Sequence, residues 1–173
     1  MLMDKIVLPL LGVPLFQGLK PLQITEIARQ AERIRFRRGD VITEAGARGD
    51  GAYLIVAGHA ERVSGDGTEA GAEPVDPGSL VGELAMLVEH DYRATVVARD
   101  RVHCLKITRA AIYSQMLDDP GLAEHLQGQI TKRLLKMAED LRQIDQLLAG
   151  ASSPPPVSQG ADAPRLGSTT GSA

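Results

Sequence analysis

At 173 residues the chain is long enough for one domain with a sizeable core and some appendages. Its 19 basic and 22 acidic residues leave a net charge of −3, so no global field draws it to nucleic acid or to an anionic membrane. With one cysteine an internal disulfide is excluded, and with no tryptophan, three tyrosines and two phenylalanines there is no aromatic platform on which nucleic-acid bases could stack.

The first apolar stretch, 6–16, is broken by Pro9, Gly12 and Pro14 and falls short of the roughly 18 residues a membrane span needs. It also lacks the small-residue cleavage site of a signal peptide. Neither a membrane span nor a leader is expected, and the segment is read as docking on the domain's own surface. After Lys20-Pro21, the residues Leu22, Ile24, Ile27, Ala28 and Ala31 recur at helical spacing and predict a short helix ending before Arg35. These elements make up an N-terminal helical segment, 1–32.

From 33 to 107 the pattern changes to short β-type runs separated by glycine-rich turns: 33–36, 41–43, 52–57, 60–64, 80–81, 94–98 and 102–107. Many short strands with such punctuation argue for a sandwich or roll rather than a parallel sheet. The Gly-, Ala- and acid-rich connection 65–77 reads as a flexible hairpin tip. Cys104 falls in a strand-like run as a small buried hydrophobe, which suits a reducing, cytoplasmic setting.

The helical pattern returns over 108–149. Thr108 is placed to cap a helix running through Leu117, and Asp119-Pro120 opens a second, longer one. Along it, Ile130, Leu134, Met137, Leu141, Ile144 and Leu148 alternate spacings of four and three, a heptad seam suited either to folding back on the roll or, as we favour, to a homodimer. Gly150 is expected to end the helix. The remainder, 150–173, has almost no large apolar residue and is expected to be disordered.

One stretch carries the chemistry. Gly78-Ser79-Leu80-Val81-Gly82-Glu83-Leu84-Ala85-Met86-Leu87 reads as a glycine-led turn opening one short helical turn, with an acid at its start; Tyr92-Arg93-Ala94-Thr95-Val96 follows, an arginine leading into a β-branched strand. Backbone N–H groups at a helix start attract phosphate, a guanidinium neutralises it with a directed fork, and a carboxylate accepts from sugar hydroxyls. The order and spacing of these residues resemble the phosphate-binding cassette of the cyclic nucleotide-binding domain family. That family includes the ligand-sensing half of the catabolite activator protein, the regulatory subunits of cyclic AMP-dependent kinase, and gated channels. The likeness runs from about Leu15 to about Leu148, and Gly39-Asp40, the Gly46 to Gly51 turn, 53–58 and 100–107 fall where the family has its β-roll.

The resemblance implies an α+β fold: an antiparallel, jelly-roll-like β-roll of eight strands or a similar number, with the N-terminal helical segment and a long C-terminal helix. It also implies a non-enzymatic sensor for cyclic AMP or cyclic GMP, with no further cofactor. Glu83 would accept from a ribose 2′-hydroxyl, and Gly82, Glu83, Leu84 and Ala85 would supply backbone donors. Arg93, Ala94 and Thr95 would line the ligand, Thr95 serving equally well as a purely structural strand residue. Leu134, Leu135, Met137 and Ala138 would be placed to approach a bound base, offering apolar cover with no side-chain hydrogen bond to tell adenine from guanine.

The cassette departs from the family at one point. The family's phosphate arginine stands two small residues before the following Thr-Val, whereas here only Ala94 intervenes, so Tyr92 occupies that position. Either the loop shifts by one residue and Arg93 still enters, or the site is altered; a one-residue slip in a strand otherwise reverses the face of every side chain. The altered reading, together with aliphatic Val81 where the family often has an aromatic, describes a ligand-free interaction scaffold. Neither His59, His90, His103 nor His125 is spaced to hold a metal with another, and no nucleophile elbow, Walker loop or cysteine pair argues for catalysis. No helix-turn-helix, kinase or pore is read after Leu148, so DNA binding is not expected and the signal would leave through the helix, the tail or a protein effector.

Overall fold

The computed structural model describes residues 4–63 and 72–151. The chain divides into two units, 1–132 and 133–173.

The first unit opens with α1 (Asp4–Leu11), a 3-10 turn (Pro14–Phe16) and α2 (Pro21–Gln30). Among the described residues ten strands follow: β1 (Glu32–Phe36), β2 (Val41–Thr43), β3 (Arg48–Gly49), β4 (Gly51–Ala57), β5 (Ala60–Val63), β6 (Glu73–Val75), β7 (Leu80–Val81), β8 (His90–Asp91), β9 (Thr95–Ala98) and β10 (Val102–Thr108). A five-residue helix, α3 (Glu83–Leu87), lies between β7 and β8, and α4 (Arg109–Asp118) leads to α5 (Pro120–Ala151). The strands form two four-stranded sheets, ordered β1-β10-β4-β7 and β2-β9-β5-β6, and the ribbon β3-β8. Every pairing is antiparallel. This is the β-roll with N-terminal helices and a long C-terminal helix that the sequence predicts.

Strand alternation sorts the interior into two clusters. On β4, Ile55 turns into the roll while Ala52 and Leu54 meet the helices; on β10, Val102 and Cys104 point inward while Leu105 and Ile107 point to the helices. The roll interior is completed by Ile42, Ala60, Val75, Val81, Val96 and Ala98. Cys104 is buried there, which pushes its thiol up to about 12 and leaves it protonated and inert.

The N-terminal stretch differs from its sequence reading. Leu10, Val13, Leu15 and Phe16 are each 1% exposed or less and form part of the helical cluster with Ile24, Ile27, Ile112, Leu122 and Leu126, so the segment is core rather than a surface attachment. Pro9 is accommodated inside α1, and the helix ends only before Gly12; where a helix ends does not prevent its side chains from being buried. The connection read as a flexible tip holds β6, which pairs with β5 in the register Ala60↔Val75; its first part, 65–71, lies outside the described residues. Pro74 sits on this edge strand, where a missing N–H is tolerated.

At the other end, Asp119 caps α5 by accepting from the N–H groups of Gly121 (2.9 Å) and Leu122 (3.2 Å). The helix continues through Gly150 to Ala151, since a single glycine costs only about 1 kcal/mol. The tail expected to be disordered lies, from 152 on, outside the described residues. Of the seam, Ile130 packs against the helical cluster of the first unit. In the second unit, described by itself, Leu134, Leu135, Met137, Leu141, Ile144, Leu147 and Leu148 are all more than half exposed. Among the described residues no helix is long and apolar enough to cross a membrane.

Candidate functional site

Gly82 takes φ +77°, a left-handed conformation that L side chains rarely adopt, and this turns β7 into α3. The Ala85 N–H donates to the Gly82 carbonyl at 3.0 Å and closes the turn. Close beneath, Gly49 on β3 faces Ala85, and any side chain at position 49 would collide with the Ala85 β-carbon. The short helix is therefore pressed onto the β3-β8 ribbon by two positions that admit only glycine.

Its far end is held from α4. Arg109 Nη1 donates to the carbonyls of Ala85 (2.9 Å), Gly49 (3.0 Å) and Val88 (3.2 Å), and the Tyr113 hydroxyl donates to the Leu87 carbonyl at 2.7 Å. A cation at a helix C-terminus both satisfies orphan carbonyls and opposes the helix dipole. Thr108 caps α4 by accepting from the Ala111 N–H at 3.2 Å, as its sequence position suggests.

Beside α3 lies a cavity of about 430 Å3, within the roughly 300–1,000 Å3 usual for small-molecule sites. Gly82, Glu83, Leu84 and Ala85 form one wall and Tyr92, Arg93 and Ala94 another; Thr43, Arg62, Val81, His90 and Asp91 complete it. Seven of the predicted site residues and the alternative Tyr92 are thus placed as follows: all line the cavity except Thr95. The Thr95 hydroxyl instead accepts from the Ala45 N–H at 3.0 Å, and Thr43, 3% exposed, donates its hydroxyl to the Ala94 carbonyl at 3.0 Å. These two bonds tie the entry to β9 onto the β2 side of the roll. Leu134, Leu135 and Met137 stand in the second unit.

The charges are arranged unevenly. Glu83 is half-buried, with Oε1 shielded from solvent. Arg93 is exposed at the cavity and its Nε donates to His90 Nε2 at 3.1 Å, which assigns the imidazole proton to Nδ1. Tyr92 is half-buried; its hydroxyl donates to the Gly51 carbonyl at 3.0 Å and its ring lies under Gly82. Burial, with Tyr53 and Asp50 nearby, pushes the phenol up to about 12, so it stays a neutral donor at any physiological pH. The lining therefore includes both a carboxylate and a guanidinium, groups suited to a sugar hydroxyl and a phosphate.

Two residues at work here escape the sequence reading. Arg62 brings a second guanidinium to the cavity, in a surface ion pair with Glu73 at 2.8 Å; its signal was its place in a short alternating run. Arg109 positions α3 without lining the cavity, and its partners lie 60 and 24 residues away, where no local pattern points to them. Among the described residues no three of His, Cys, Asp or Glu come together in a way that could hold a metal ion.

A family model of the cyclic nucleotide-binding domain matches residues 33–119. A cAMP-dependent protein kinase regulatory subunit from Blastocladiella emersonii is 34% identical over 101 residues, which is 57% of this chain and 25% of that protein. A CRP-like cAMP-activated global transcriptional regulator from Mycobacterium tuberculosis is 26% identical over 132 residues, 75% of this chain and 59% of that protein. The chain thus spans between a quarter and three-fifths of these two relatives. Among solved structures, the N-terminal domain of a transcriptional regulator from Streptomyces coelicolor A3(2) superposes with a TM-score of 0.66 at 26% identity, covering 74% of this chain and 91% of that one.

Proposed function

The chain belongs to the cyclic nucleotide-binding domain family, and from that premise we propose that it is a non-enzymatic regulatory module that binds cyclic AMP or cyclic GMP beside α3 and signals through α5. The observation that carries this reading is the cavity itself, in which the Gly82–Ala85 turn, the Glu83 carboxylate and the Arg93 guanidinium face one space of about 430 Å3. The phosphate sits near the start of α3 with Arg93 as its counter-charge, and Glu83 accepts from the ribose 2′-hydroxyl. Arg93 rests on His90, a neutral partner, so it has no carboxylate to leave when an anion arrives. Binding is coupled to output only to the extent that affinity differs between two positions of α5. The relatives named for cyclic AMP favour that nucleotide of the two.

Titration calorimetry with each nucleotide tests the reading. The expected result is micromolar binding that weakens roughly ten- to a hundredfold in Arg93→Ala and in Glu83→Ala, the size of one lost charge-assisted hydrogen bond. Unchanged affinity in Arg93→Ala would move the phosphate contact elsewhere. One observation favours a second reading: Tyr92 stands at the family's arginine position and is fixed to the Gly51 carbonyl and under Gly82. Absence of heat with either nucleotide, from folded protein, would make the roll an interaction scaffold.

A further inference from the structure

A second cavity, of about 290 Å3, opens where α2, α4 and the first turn of α5 meet. It shares no residue with the cavity beside α3 and does not depend on how that one is read. Its wall carries three carboxylates, Glu26 from α2 and Asp118 and Asp119 from the α4–α5 junction, over the buried side chain of Leu122.

The residue that marks it is Gln115. Gln115 is 6% exposed and lines the cavity, and its Nε2 is buried with no hydrogen-bond partner among the described residues. Buried polar atoms are nearly always bonded, and an amide nitrogen can only donate, so this position calls for an acceptor oxygen. The carboxylates around it call for the opposite. Asp119 is already occupied: Oδ2 accepts from Gln23 Nε2 at 2.7 Å and Oδ1 from two main-chain amides, which holds its carboxyl below the usual range. Among the described residues Glu26 has only Arg29, at 3.4 Å in a solvent-exposed pair that contributes little.

A ligand that satisfies this wall carries a cation and an acceptor together. The acids do not converge on a point, and among the described residues no group of three is placed to hold a metal ion. Carboxylates spread over a wall suit a flat cation with donors along its edges, and a guanidinium has five such donors where an ammonium is a compact point charge. In a peptide, a main-chain carbonyl accompanies the guanidinium and supplies the acceptor.

We propose that this cavity is a docking site for an arginine residue of a partner protein, its guanidinium received by Glu26 and Asp118 and a main-chain carbonyl accepting from Gln115 Nε2. Such a partner would grip α2 and the root of α5 at once.

The test is a titration of the full chain with the peptide acetyl-Gly-Arg-Gly-amide, followed by amide NMR, with the citrulline peptide as an uncharged isostere. The arginine peptide is expected to shift the Gln115 side-chain amide signals with saturation in the millimolar range, and citrulline to leave them in place. Glu26→Gln combined with Asp118→Asn should weaken binding about tenfold, and Gln115→Met, which keeps shape and removes the donor, severalfold. No saturable shift, an equal response to citrulline, or unchanged affinity in the double variant would overturn the proposal. The double variant changes only charge at the cavity rim, so it decides the matter even if Gln115→Met fails to fold.

Discussion

The ring of Tyr92 lies against the α-carbon of Gly82, so close that a β-carbon at position 82 would stand 2.6 Å from Tyr92 Cε1. This contact joins the turn that opens α3 to the residue at the family's arginine position. Gly82→Ala therefore meets two penalties. The left-handed backbone alone costs about 1–2 kcal/mol for an alanine, and the ring, anchored through its hydroxyl, has little room to yield. We expect a thermal midpoint several degrees lower and nucleotide affinity reduced more than tenfold, both read on one sample by scanning and titration calorimetry. A variant that kept both would show that the ring moves freely.

Tyr92 and Arg93 should separate cleanly by what they damage. Tyr92→Phe leaves the Gly51 carbonyl without its donor in a half-buried place, and about 1 kcal/mol of stability should be lost while affinity holds. Arg93 is exposed and bonded only to His90 among the described contacts, so Arg93→Lys should change stability by less than about 0.5 kcal/mol. Its affinity should nonetheless fall about tenfold, because an ammonium lacks the fork. Denaturant melts paired with titrations check both; a loss of affinity in Tyr92→Phe matching that in Arg93→Lys would assign the phosphate to the phenol.

The chain's legibility in sequence follows how local each cause is. β4 and β10 could be read because each is a seven-residue run rich in apolar, β-type side chains, and Thr108 and Asp119 announce their caps through type and position. The ribbon β3-β8 could not: two residues leave no period, and Arg48-Gly49 and His90-Asp91 lack the apolar, β-type character by which the equally short Leu80-Val81 is read. Pro74 hid β6, an edge strand that tolerates it. The burial of Phe16 and Leu15 is a tertiary outcome; Pro14 and Pro21 beside them mark only where the 3-10 turn and α2 begin. In the site, glycine, acid and arginine were visible as a cassette, whereas Arg109 acts through carbonyls, and any residue type offers those.

Arg109 gives a prediction about positioning. Its guanidinium serves the Ala85 and Val88 carbonyls of α3 and its C-cap, and that of Gly49 on β3 beneath it, and lines no part of the cavity. Arg109→Met keeps much of the stem's length and removes every donor, so we expect a loss of about 2–3 kcal/mol and a weaker nucleotide affinity together. Hydrogen exchange should show faster opening of the amides of α3 while those of β4 and β10 keep their protection. Uniform loss of protection across the roll would mean that Arg109 supports the whole fold and not the short helix.

The pair His59–Asp100 sets a pH dependence at the β4–β5 turn. His59 Nδ1 meets Asp100 Oδ2 at 2.8 Å, and Asp100 Oδ1 also accepts from the His59 N–H at 2.9 Å. The hydrogen bond and charge of Asp100 raise the imidazole above its ordinary 6.5, and the same bonds hold the Asp100 carboxyl below its ordinary 3.8. The histidine's contribution is therefore complete below pH 6.5 and fades as pH rises through its raised value. That of the aspartate is complete above pH 3.8 and fades as pH falls through its lowered value. Stability from the pair should peak between these limits, modestly and with salt sensitivity, since the side chains are 66% and 48% exposed. Asp100→Asn should flatten the thermal midpoint against pH across that window; an unchanged profile would show the pair to be without energetic weight.

The exposed seam of the second unit leads to an assembly prediction. Leu134, Met137, Leu141 and Ile144 follow the alternating three- and four-residue spacing of a coiled-coil stripe, and each is at least 52% exposed. Burying one such side chain contributes roughly 1.5–3 kcal/mol, so four on each of two chains give ample drive for pairing once the entropy of association is met. Sedimentation should show a dimer at micromolar concentration, and Leu141→Lys with Ile144→Lys should give a monomer whose roll melts as before, because neither residue belongs to the core clusters of the first unit. A wild-type chain that sediments as a monomer would remove the seam as an interface and leave the helix to act within one chain.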